Sequence, residues 1–326
     1  MKIFKWGIIG PGKIAEKFAE ALLNCPNAEL WAVASRDKER AELFGKKYRA
    51  TKYYDQYEAL INDEEIDVVY VATPHTFHYR HVLICLNNKK PVLCEKPLSV
   101  NYQSALKMIT LAKENKVFLM EAMWTRFLPV IREAFRLIES GEIGKIIFVR
   151  ADFGFSFPFE KESRLYNMQL GGGSLLDIGV YPLFLALYLL GEPDSIKSFA
   201  HISSTGADES LNIMLYYKNG AMASLYSTVV ATTPTTAEIT GTKGSITIQQ
   251  PWFKASSFIL RKPDGTEKNI SMPYGDNGFE FEINEVMSCL EQGTTESTLM
   301  PLDFSLMIAG VVNEICNQCA IRYEVQ

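Results

Sequence analysis

A glycine turn between a strand and a helix constrains the fold of this chain more than any other feature. The apolar stretch Ile3–Ile9 predicts a strand, Gly10-Pro11-Gly12 a turn, and the helix formers Glu16–Leu23 a helix. Such a turn opens a βαβ unit of a parallel sheet. Gly10 permits the tight turn, and Gly12 lets the backbone approach a pyrophosphate at the helix N-terminus. The alternative is an ordinary βα turn, since glycine pairs are common in turns.

The end of the second predicted strand, Glu29–Ala34, indicates which dinucleotide would fit. Folds specific for NAD usually place an acid here, on the ribose 2′-hydroxyl. This strand ends instead in Ser35-Arg36, with Arg40 one helical turn further on. Because a hydroxyl and guanidinium groups suit a 2′-phosphate, we favour NADP(H). NAD(H) stays open because Asp37 is close, and a solvated helix start would also explain both arginines.

A lysine follows directly after another predicted strand. In the segment Pro91–Pro97, the apolar strand Val92–Cys94 runs into Glu95, Lys96 and a proline that cannot donate to a sheet ladder. Ligands of parallel sheets bind at the carboxyl ends of the strands. Lys96 is therefore either a solvated loop lysine, the usual state of a lysine, or a catalytic group that faces a bound cofactor.

A second candidate group follows a run of three glycines, Gly171–Gly173. Ser174 is predicted to cap the helix that runs to Leu190, and Asp177 and Tyr181 lie four residues apart, on one helix face. Hydride transfer to a carbonyl needs a proton for the developing alkoxide, which a tyrosine or a lysine ammonium can supply. An acid/base pair is one interpretation, and a capped helix with a core tyrosine is the other.

The composition narrows the class of protein. A chain of 326 residues with net charge −5 and no basic run predicts two domains and no nucleic-acid partner. No apolar stretch of membrane-spanning length and no signal peptide are expected, so we predict no membrane partner. The six scattered cysteines suit a reducing cytoplasm better than a disulfide framework.

Strand and helix patterns alternate through residues 1–124, whereas strand patterns joined by short turns dominate residues 125–326. We therefore predict an α/β protein: an N-terminal Rossmann domain with a doubly wound parallel sheet, then a C-terminal α+β domain with a large, mostly antiparallel open sheet. The first would bind the dinucleotide, and the second would serve substrate binding and oligomerisation.

One face of the second sheet is more apolar than contact with water requires. In the predicted strand Leu211–Tyr217, Met214 and Tyr216 alternate with Leu and Ile residues that belong to the core. A partner sheet is expected on this face, most simply in a homodimer. An ordinary amphipathic face is the alternative.

The glycine turn, the Val92–Pro97 segment and the Asp-x-Gly-x-Tyr helix together resemble the Gfo/Idh/MocA oxidoreductases over essentially the whole chain. Within that family, Leu119–Phe127 and Leu176–Tyr181 are most similar to the dimeric dihydrodiol dehydrogenase branch. The resemblance implies a Rossmann domain, an open sheet that mediates oligomerisation, and catalytic roles for Lys96, Asp177 and Tyr181.

The resemblance also extends the set of candidate binding residues. Besides Lys96, the expected cofactor-binding residues are Gly10, Gly12, Lys13, Ile14, Ser35, Arg36, Arg40, Thr73, Pro74, His75, His78, Glu95, Trp124 and Arg126. The expected substrate-binding residues are Trp124, Phe153, Arg164 and Tyr181. Although His75, His78 and His81 recur at intervals of three, no carboxylate completes a site, and no metal is predicted.

These features lead to one main hypothesis and two alternatives. The main hypothesis is an NADP(H)-dependent oxidoreductase that acts on a sugar-like or dihydrodiol alcohol, or on the matching carbonyl. A redox-neutral, NAD-dependent glycosidase would use the same scaffold through transient oxidation. A non-catalytic nucleotide-sensing regulator is the third hypothesis.

Overall fold

The computed structural model describes residues 2–275 and 277–326 and divides into two compact units. The first contains the residues up to Trp124 together with Gly275–Leu306 and Val325–Gln326, and the second contains Thr125–Tyr274 and Met307–Glu324. We had assigned residues 275–306 to the second domain, but they group with the first unit. Backbone pairing explains this difference, since Leu119 donates its N–H to the Thr295 carbonyl.

The first unit is built on a six-stranded parallel sheet of strand order β3-β2-β1-β4-β5-β6. The doubly wound Rossmann prediction is confirmed, because a parallel sheet with buried strands is what alternating βα units produce. The strands are β1 Phe4–Ile9, β2 Ala28–Ala34, β3 Lys52–Tyr54, β4 Val68–Val71, β5 Val92–Glu95 and β6 Leu119–Ala122. Sequence reasoning missed β3, an edge strand of three half-buried residues.

The second unit contains an eight-stranded sheet of order β14-β13-β12-β11-β7-β10-β9-β8. Every neighbouring pair is antiparallel except β7 with β10, which confirms the mostly antiparallel open sheet. The strands are β7 Ile146–Gly154, β8 Ser195–Ile202, β9 Asp208–Tyr216, β10 Met222–Thr228, β11 Ala237–Gly241, β12 Gly244–Ile248, β13 Ser257–Arg261 and β14 Glu267–Ser271. The edge strand β14 was also missed, because its residues are mostly polar and exposed.

Helix α1 begins and ends close to the predicted Glu16–Leu23, because its apolar spacing is regular. In α1, Ala15, Phe18, Ala19 and Leu22 form the buried stripe that a 3.6-residue repeat requires. The helices are α1 Lys13–Leu22, α2 Lys38–Lys47, α3 Tyr57–Ile61, α4 His78–Asn87, α5 Tyr102–Asn115, α6 Pro129–Glu139, α7 Val180–Leu190, α8 Glu280–Glu291 and α9 Leu302–Gln318.

The stretch Met168–Leu190, which ends with α7, corrects one expectation. Its 23 residues are long and apolar enough to cross a membrane by length and composition, although we had expected no such stretch. Within the fold, however, 83% of its most apolar window is buried. It therefore packs as a core segment of the second unit, next to β7 and β10.

The outer face of the second sheet has the predicted alternation. Leu211 and Leu215 of β9 are buried, whereas Met214 and Tyr216 are 40% and 48% exposed. Phe199 on the neighbouring strand β8 is 78% exposed. Met222 of β10 is 43% exposed, so large apolar side chains on three adjacent strands are open to solvent in the single chain.

Candidate functional site

The glycine turn after β1 leaves open space at the start of α1. Gly10 has a φ of +87°, and a Cβ there would lie 2.8 Å from Thr73 and 3.0 Å from the Ala72 backbone. At Gly12 a Cβ would meet nothing closer than the Gly10 carbonyl at 4.0 Å, so internal packing does not demand this glycine. The open space beside Gly12 lies at the start of α1, where Lys13 and the exposed Ile14 begin the helix.

The tip of β2 is tied to this turn by hydrogen bonds. Asp37 caps α2, because its Oδ1 accepts the Arg40 N–H at 3.2 Å. The Arg40 side chain donates from Nε to the Pro11 carbonyl at 3.1 Å, which holds its guanidinium beside the glycine turn. Ser35 accepts the Asp37 N–H at 3.2 Å, and the Arg36 guanidinium lies 5.8 Å from the centre of the Phe77 ring.

A cavity of about 410 Å³ lies between the starts of α1 and α2. Three cationic side chains line it, and of the three acids present, Asp37 caps α2 and Glu16 pairs with Lys47 at 3.0 Å. Cationic and acidic side chains are therefore equal in number in the lining, and Arg40 is among the cations held beside the glycine turn. Its charged lining residues are Lys13, Glu16, Asp37, Glu39, Arg40 and Lys47.

The loop after β4 consists of Thr73, Pro74 and a 3-10 turn that starts at His75. His78 is fully buried, with Nδ1 2.9 Å from the Pro97 carbonyl and Nε2 2.8 Å from the Thr73 carbonyl. Burial lowers the pKa of His78 to about 4. Both ring nitrogens thus face backbone carbonyls, so His78 joins two loops, and its predicted contact with a cofactor stays a prediction.

The loop after β5 holds Lys96 through its backbone. Glu95 Oε2 accepts the Lys96 N–H at 3.2 Å, and the Tyr70 hydroxyl donates to the other oxygen of this carboxylate. Glu121 Oε1 accepts the Leu98 N–H at 2.9 Å. Since Lys96 is only 8% exposed, it is not the solvated loop lysine of the alternative interpretation.

Three acids are buried near this loop: Glu95, Glu121 and Glu282. Burial raises the pKa of Glu121 to about 7, and the nearby Glu95 adds to the rise. Burial and Glu95 also raise the pKa of Glu282 well above its usual range, and its oxygens have no hydrogen-bond partner among residues 2–275 and 277–326. Sequence reasoning missed Glu121 and Glu282, although an acid inside the apolar strand β6 was a visible signal.

The second candidate group stands on a helical segment that is not regular. Residues Leu175–Gly179 form a π-helical turn, and α7 follows directly. One prediction was wrong: Ser174 does not cap the helix, since its hydroxyl donates to Asp208 at 2.7 Å. Asp177 lies in the π-helical turn and Tyr181 in α7, so their position on one helix face stays a prediction.

Asp177 is paired with another predicted site residue. Arg164 donates from Nη1 to Asp177 Oδ1 at 2.7 Å, and the aspartate is largely buried while the arginine is 51% exposed at its side chain. The ion pair orients the carboxylate and leaves much of the guanidinium open to solvent. This arrangement brings together a predicted catalytic residue and a predicted substrate-binding residue.

Tyr181 lies among aromatic rings. Its ring centre is 5.6 Å from Phe153 and 5.7 Å from Phe253, and these two phenylalanines stack at 4.2 Å. Phe253 lies in the 3-10 turn Trp252–Lys254, where sequence reasoning saw no function. Tyr181 therefore belongs to an aromatic cluster that contains two stacked phenylalanine rings.

The remaining two candidates have clear packing roles. Trp124 is buried in the first unit and stacks on Phe279 with ring centres 5.1 Å apart. In the second unit, Arg126 donates to the Tyr188 hydroxyl at 2.8 Å and lies 4.4 Å from the centre of that ring. Their predicted contacts with cofactor and substrate stay predictions.

Two family models match the chain. Residues 4–123 match the oxidoreductase family with an NAD-binding Rossmann fold, and residues 131–247 match the GFO/IDH/MocA C-terminal domain. The chain belongs to the Gfo/Idh/MocA family.

The trans-1,2-dihydrobenzene-1,2-diol dehydrogenase of Xenopus tropicalis is 38% identical over 331 residues, which cover 98% of this chain and 99% of the relative. The enzyme of the same name from Mus musculus is 34% identical, with 95% of each chain covered.

Solved structures share the fold over the whole length. A 3-ketoreductase from Actinomadura kijaniata in complex with NADP and TDP-benzene is 25% identical, with a TM-score of 0.87 and 98% of each chain covered. Levoglucosan dehydrogenase in complex with NADH and levoglucosan is 20% identical, with a TM-score of 0.88 and 98% of each chain covered. With the dehydrogenase relatives, these findings identify the chain as an NAD(P)-dependent dehydrogenase acting on hydroxyl groups.

Replacing Glu121 by glutamine should change how stability depends on pH. Because burial raises the pKa of Glu121 from 4.5 to about 7, the folded chain loses stability as pH rises through this interval. Glu121→Gln keeps an acceptor for the Leu98 N–H and cannot ionise. As pH rises, the free energy of unfolding of the variant should therefore fall by up to about 3 kcal/mol less than that of the native chain. Urea unfolding at pH 5 and pH 8 measures this. Equal losses in both proteins would show that Glu121 does not titrate there.

Proposed function

We propose that this protein is an NADP(H)-dependent oxidoreductase that transfers hydride between the nicotinamide and a sugar-like or dihydrodiol alcohol, or the matching carbonyl. The observation that carries this proposal is the buried Lys96, whose loop is held at the carboxyl edge of the parallel sheet. The names of the relatives support the substrate class, since they are dihydrodiol dehydrogenases. The stacked pair Phe153 and Phe253 suits the face of a sugar or diol ring.

Three side chains would divide the chemistry. Lys96 would hold the reacting oxygen as an ammonium, because a positive charge stabilises the alkoxide that forms during hydride transfer. Tyr181 would exchange the proton with that oxygen. Asp177, oriented by Arg164, would position the donor or a substrate hydroxyl.

Substitution of Lys96 or Tyr181 should remove most of the turnover. Lys96→Met and Tyr181→Phe each delete a polar group required in the transition state, so kcat should fall by about 10²-fold or more. NADPH titration by fluorescence should show that the cofactor still binds. The matched control is Lys107→Met, which removes an exposed lysine from α5. Native turnover in Lys96→Met would overturn the assignment of the catalytic lysine.

The substrate class itself is tested with a panel. NADPH oxidation would be followed with dicarbonyls and ketosugars, NADP⁺ reduction with dihydrodiols, and each assay repeated with NADH or NAD⁺. Turnover within this panel is the expected result. Cleavage of a glycoside without net cofactor consumption would instead indicate the redox-neutral alternative.

The NADP(H) preference rests on the tip of β2. Asp37 uses one carboxylate oxygen to cap α2, and the Arg40 side chain is tethered to the glycine turn, which supports a cofactor that carries a 2′-phosphate. Ser35 can donate its hydroxyl to the phosphate while it accepts the Asp37 N–H. NAD(H) remains the alternative cofactor.

Loss of either arginine should therefore affect the two cofactors differently. In Arg36→Ala and Arg40→Ala the KM for NADPH should rise by about tenfold or more, because each variant loses a charge-assisted hydrogen bond. The KM for NADH should stay within about twofold, since NADH has no 2′-phosphate. Arg132→Ala, which removes an exposed arginine from α6, is the control. Equal changes for both cofactors would contradict the preference.

We also propose that the chain forms a homodimer through the outer face of the second sheet and works in the cytoplasm. Exposed Phe199, Met214, Tyr216 and Met222 support the dimer, because side chains of this kind on adjacent strands are usually covered. The six cysteines are free thiols, as a reducing compartment favours.

Charges placed on this face should separate the subunits. The double variant Met214→Glu and Met222→Glu puts like charges on neighbouring strands of both copies, so the particle mass should halve at micromolar concentration. Light scattering after size exclusion measures this mass. Leu23→Glu, at an exposed apolar position of the first unit, should leave it unchanged. A native chain that is monomeric would refute the dimer.

A further inference from the structure

A buried carboxylate lies directly under the start of the helical segment that bears Asp177 and Tyr181. Asp208 begins β9 and is fully buried. Its Oδ2 accepts the Ser174 hydroxyl at 2.7 Å and the Leu175 N–H at 2.7 Å. Its Oδ1 accepts the Tyr323 hydroxyl at 3.3 Å, from the segment after α9. The carboxylate thus bonds the first turn of the segment, a strand and the chain's last residues to one another.

The glycines before this segment are explained by the same contact. Gly173 has a φ of +122°, and a Cβ there would lie 2.1 Å from Asp208 Oδ1 and 3.1 Å from the Tyr323 hydroxyl. At Gly172 a Cβ would lie 2.9 Å from the Leu165 carbonyl. Since only glycine fits so close to backbone and carboxylate, the run Gly171–Gly173 lets the helix start against the sheet.

The sheet holds the same turn at a second point. Ser227 of β10 shares a hydrogen bond of 3.0 Å with Ser174, and its Oγ would lie 2.9 Å from a Cβ at Gly179. Both ends of the π-helical turn Leu175–Gly179 therefore abut polar groups of the sheet. An apolar residue at position 208 would avoid the cost of burying a carboxylate, but it could not accept the Leu175 N–H.

We infer that Asp208 is a positioning residue, which fixes the π-helical turn and thereby the side chains of Asp177 and Tyr181, with Tyr323 as part of the same anchor. The inference rests on the proposed catalytic roles of Asp177 and Tyr181. Leu175 lies two residues before Asp177 in the chain, so the anchored N–H is close to the group that it positions. A displacement of about 1 Å in a catalytic group can cost about 10²-fold in rate.

Substitution of Asp208 tests the anchor, because it should lower kcat and leave the KM for NADPH nearly unchanged. In Asp208→Ala, kcat should fall by about tenfold or more, while the KM for NADPH, whose predicted contacts lie mainly in the other unit, stays within about twofold. Asp208→Asn should recover most of kcat, because its amide oxygen can accept both donors while its NH₂ donates to Tyr323. Asp194→Ala is the control, since this aspartate accepts the Lys218 N–H in the same unit and does not touch the segment.

A double-mutant cycle of Asp208→Ala with Tyr181→Phe distinguishes an effect on the position of Tyr181 from a general loss of structure. If Asp208 acts through Tyr181, Asp208→Ala should lower kcat much less in the Tyr181→Phe background than in the native one. Equal losses in both backgrounds, or native kcat in Asp208→Ala, would overturn the inference. If Asp208→Ala fails to fold, Ser174→Ala and Tyr323→Phe replace it as the test, because each deletes one contact of the anchor. Both should lower kcat less than Asp208→Ala does, and an unchanged kcat in both would also contradict the anchor.

Hydrogen exchange gives a readout independent of activity. In Asp208→Ala or Ser174→Ala the amides of residues 175–179 should exchange about tenfold faster or more, with amides of β11 and β12 unchanged. Faster exchange together with native turnover in Tyr181→Phe would support the anchor and reject the catalytic role of Tyr181. Unchanged exchange together with inactive Tyr181→Phe would reject the anchor alone.

Discussion

The register of the parallel sheet brings four loops that contain cofactor-binding candidates to one edge. Ile9 at the end of β1 pairs with Ala34 of β2 and with Val71 of β4, and Val71 pairs with Cys94 of β5. Four strands therefore end at one edge, and the residues that follow them are the glycine turn, the Ser35-Arg36 tip, the Thr73 loop and the Lys96 loop. A slip of one strand would move its loop away from the others and turn its side chains to the opposite layer.

Buried carboxylates accept backbone N–H groups beside the catalytic candidates in both units. Glu95 and Glu121 accept N–H groups on the two sides of Pro97, and Asp208 accepts the first N–H of the π-helical turn. Burying such groups is costly unless backbone or hydroxyl donors satisfy them. These buried carboxylates lie beside the loop that contains Lys96 in one unit and the helical segment that contains Asp177 and Tyr181 in the other. These acids act on position and local charge, and they need not touch a ligand.

Structure could be predicted from the sequence where the period of apolar residues indicates which face is buried. It could not be predicted where contacts with residues distant in the chain determine the local structure. The alternation in β9 and the apolar stripe of α1 reflect one sheet face and one helix face, so they were predictable. The environment of Ser174 was not, because serine has a strong preference for helix caps, and contacts with the distant residues Asp208 and Ser227 redirect its hydroxyl. Residues 275–306 were likewise assigned by their order in the chain, whereas pairing such as that of Leu119 with Thr295 groups them with the first unit.

The amino-acid sequence by itself determined the Rossmann unit, the open antiparallel sheet, the family, and Lys96, Asp177 and Tyr181 as candidates. The two sheets depend on strand–helix alternation, glycine positions and apolar periodicity, which can be read along the chain, whereas the family and the catalytic roles of the three candidates rest on the resemblance of short motifs to known oxidoreductases. Only the tertiary structure decided that Lys96 is buried, that Arg164 pairs with Asp177, that His78 joins two loops, and that Asp208 lies under the catalytic candidates. The physical reason is that each depends on a hydrogen bond, an ion pair or the burial of a side chain by residues far apart in sequence. A short sequence pattern does not specify such contacts.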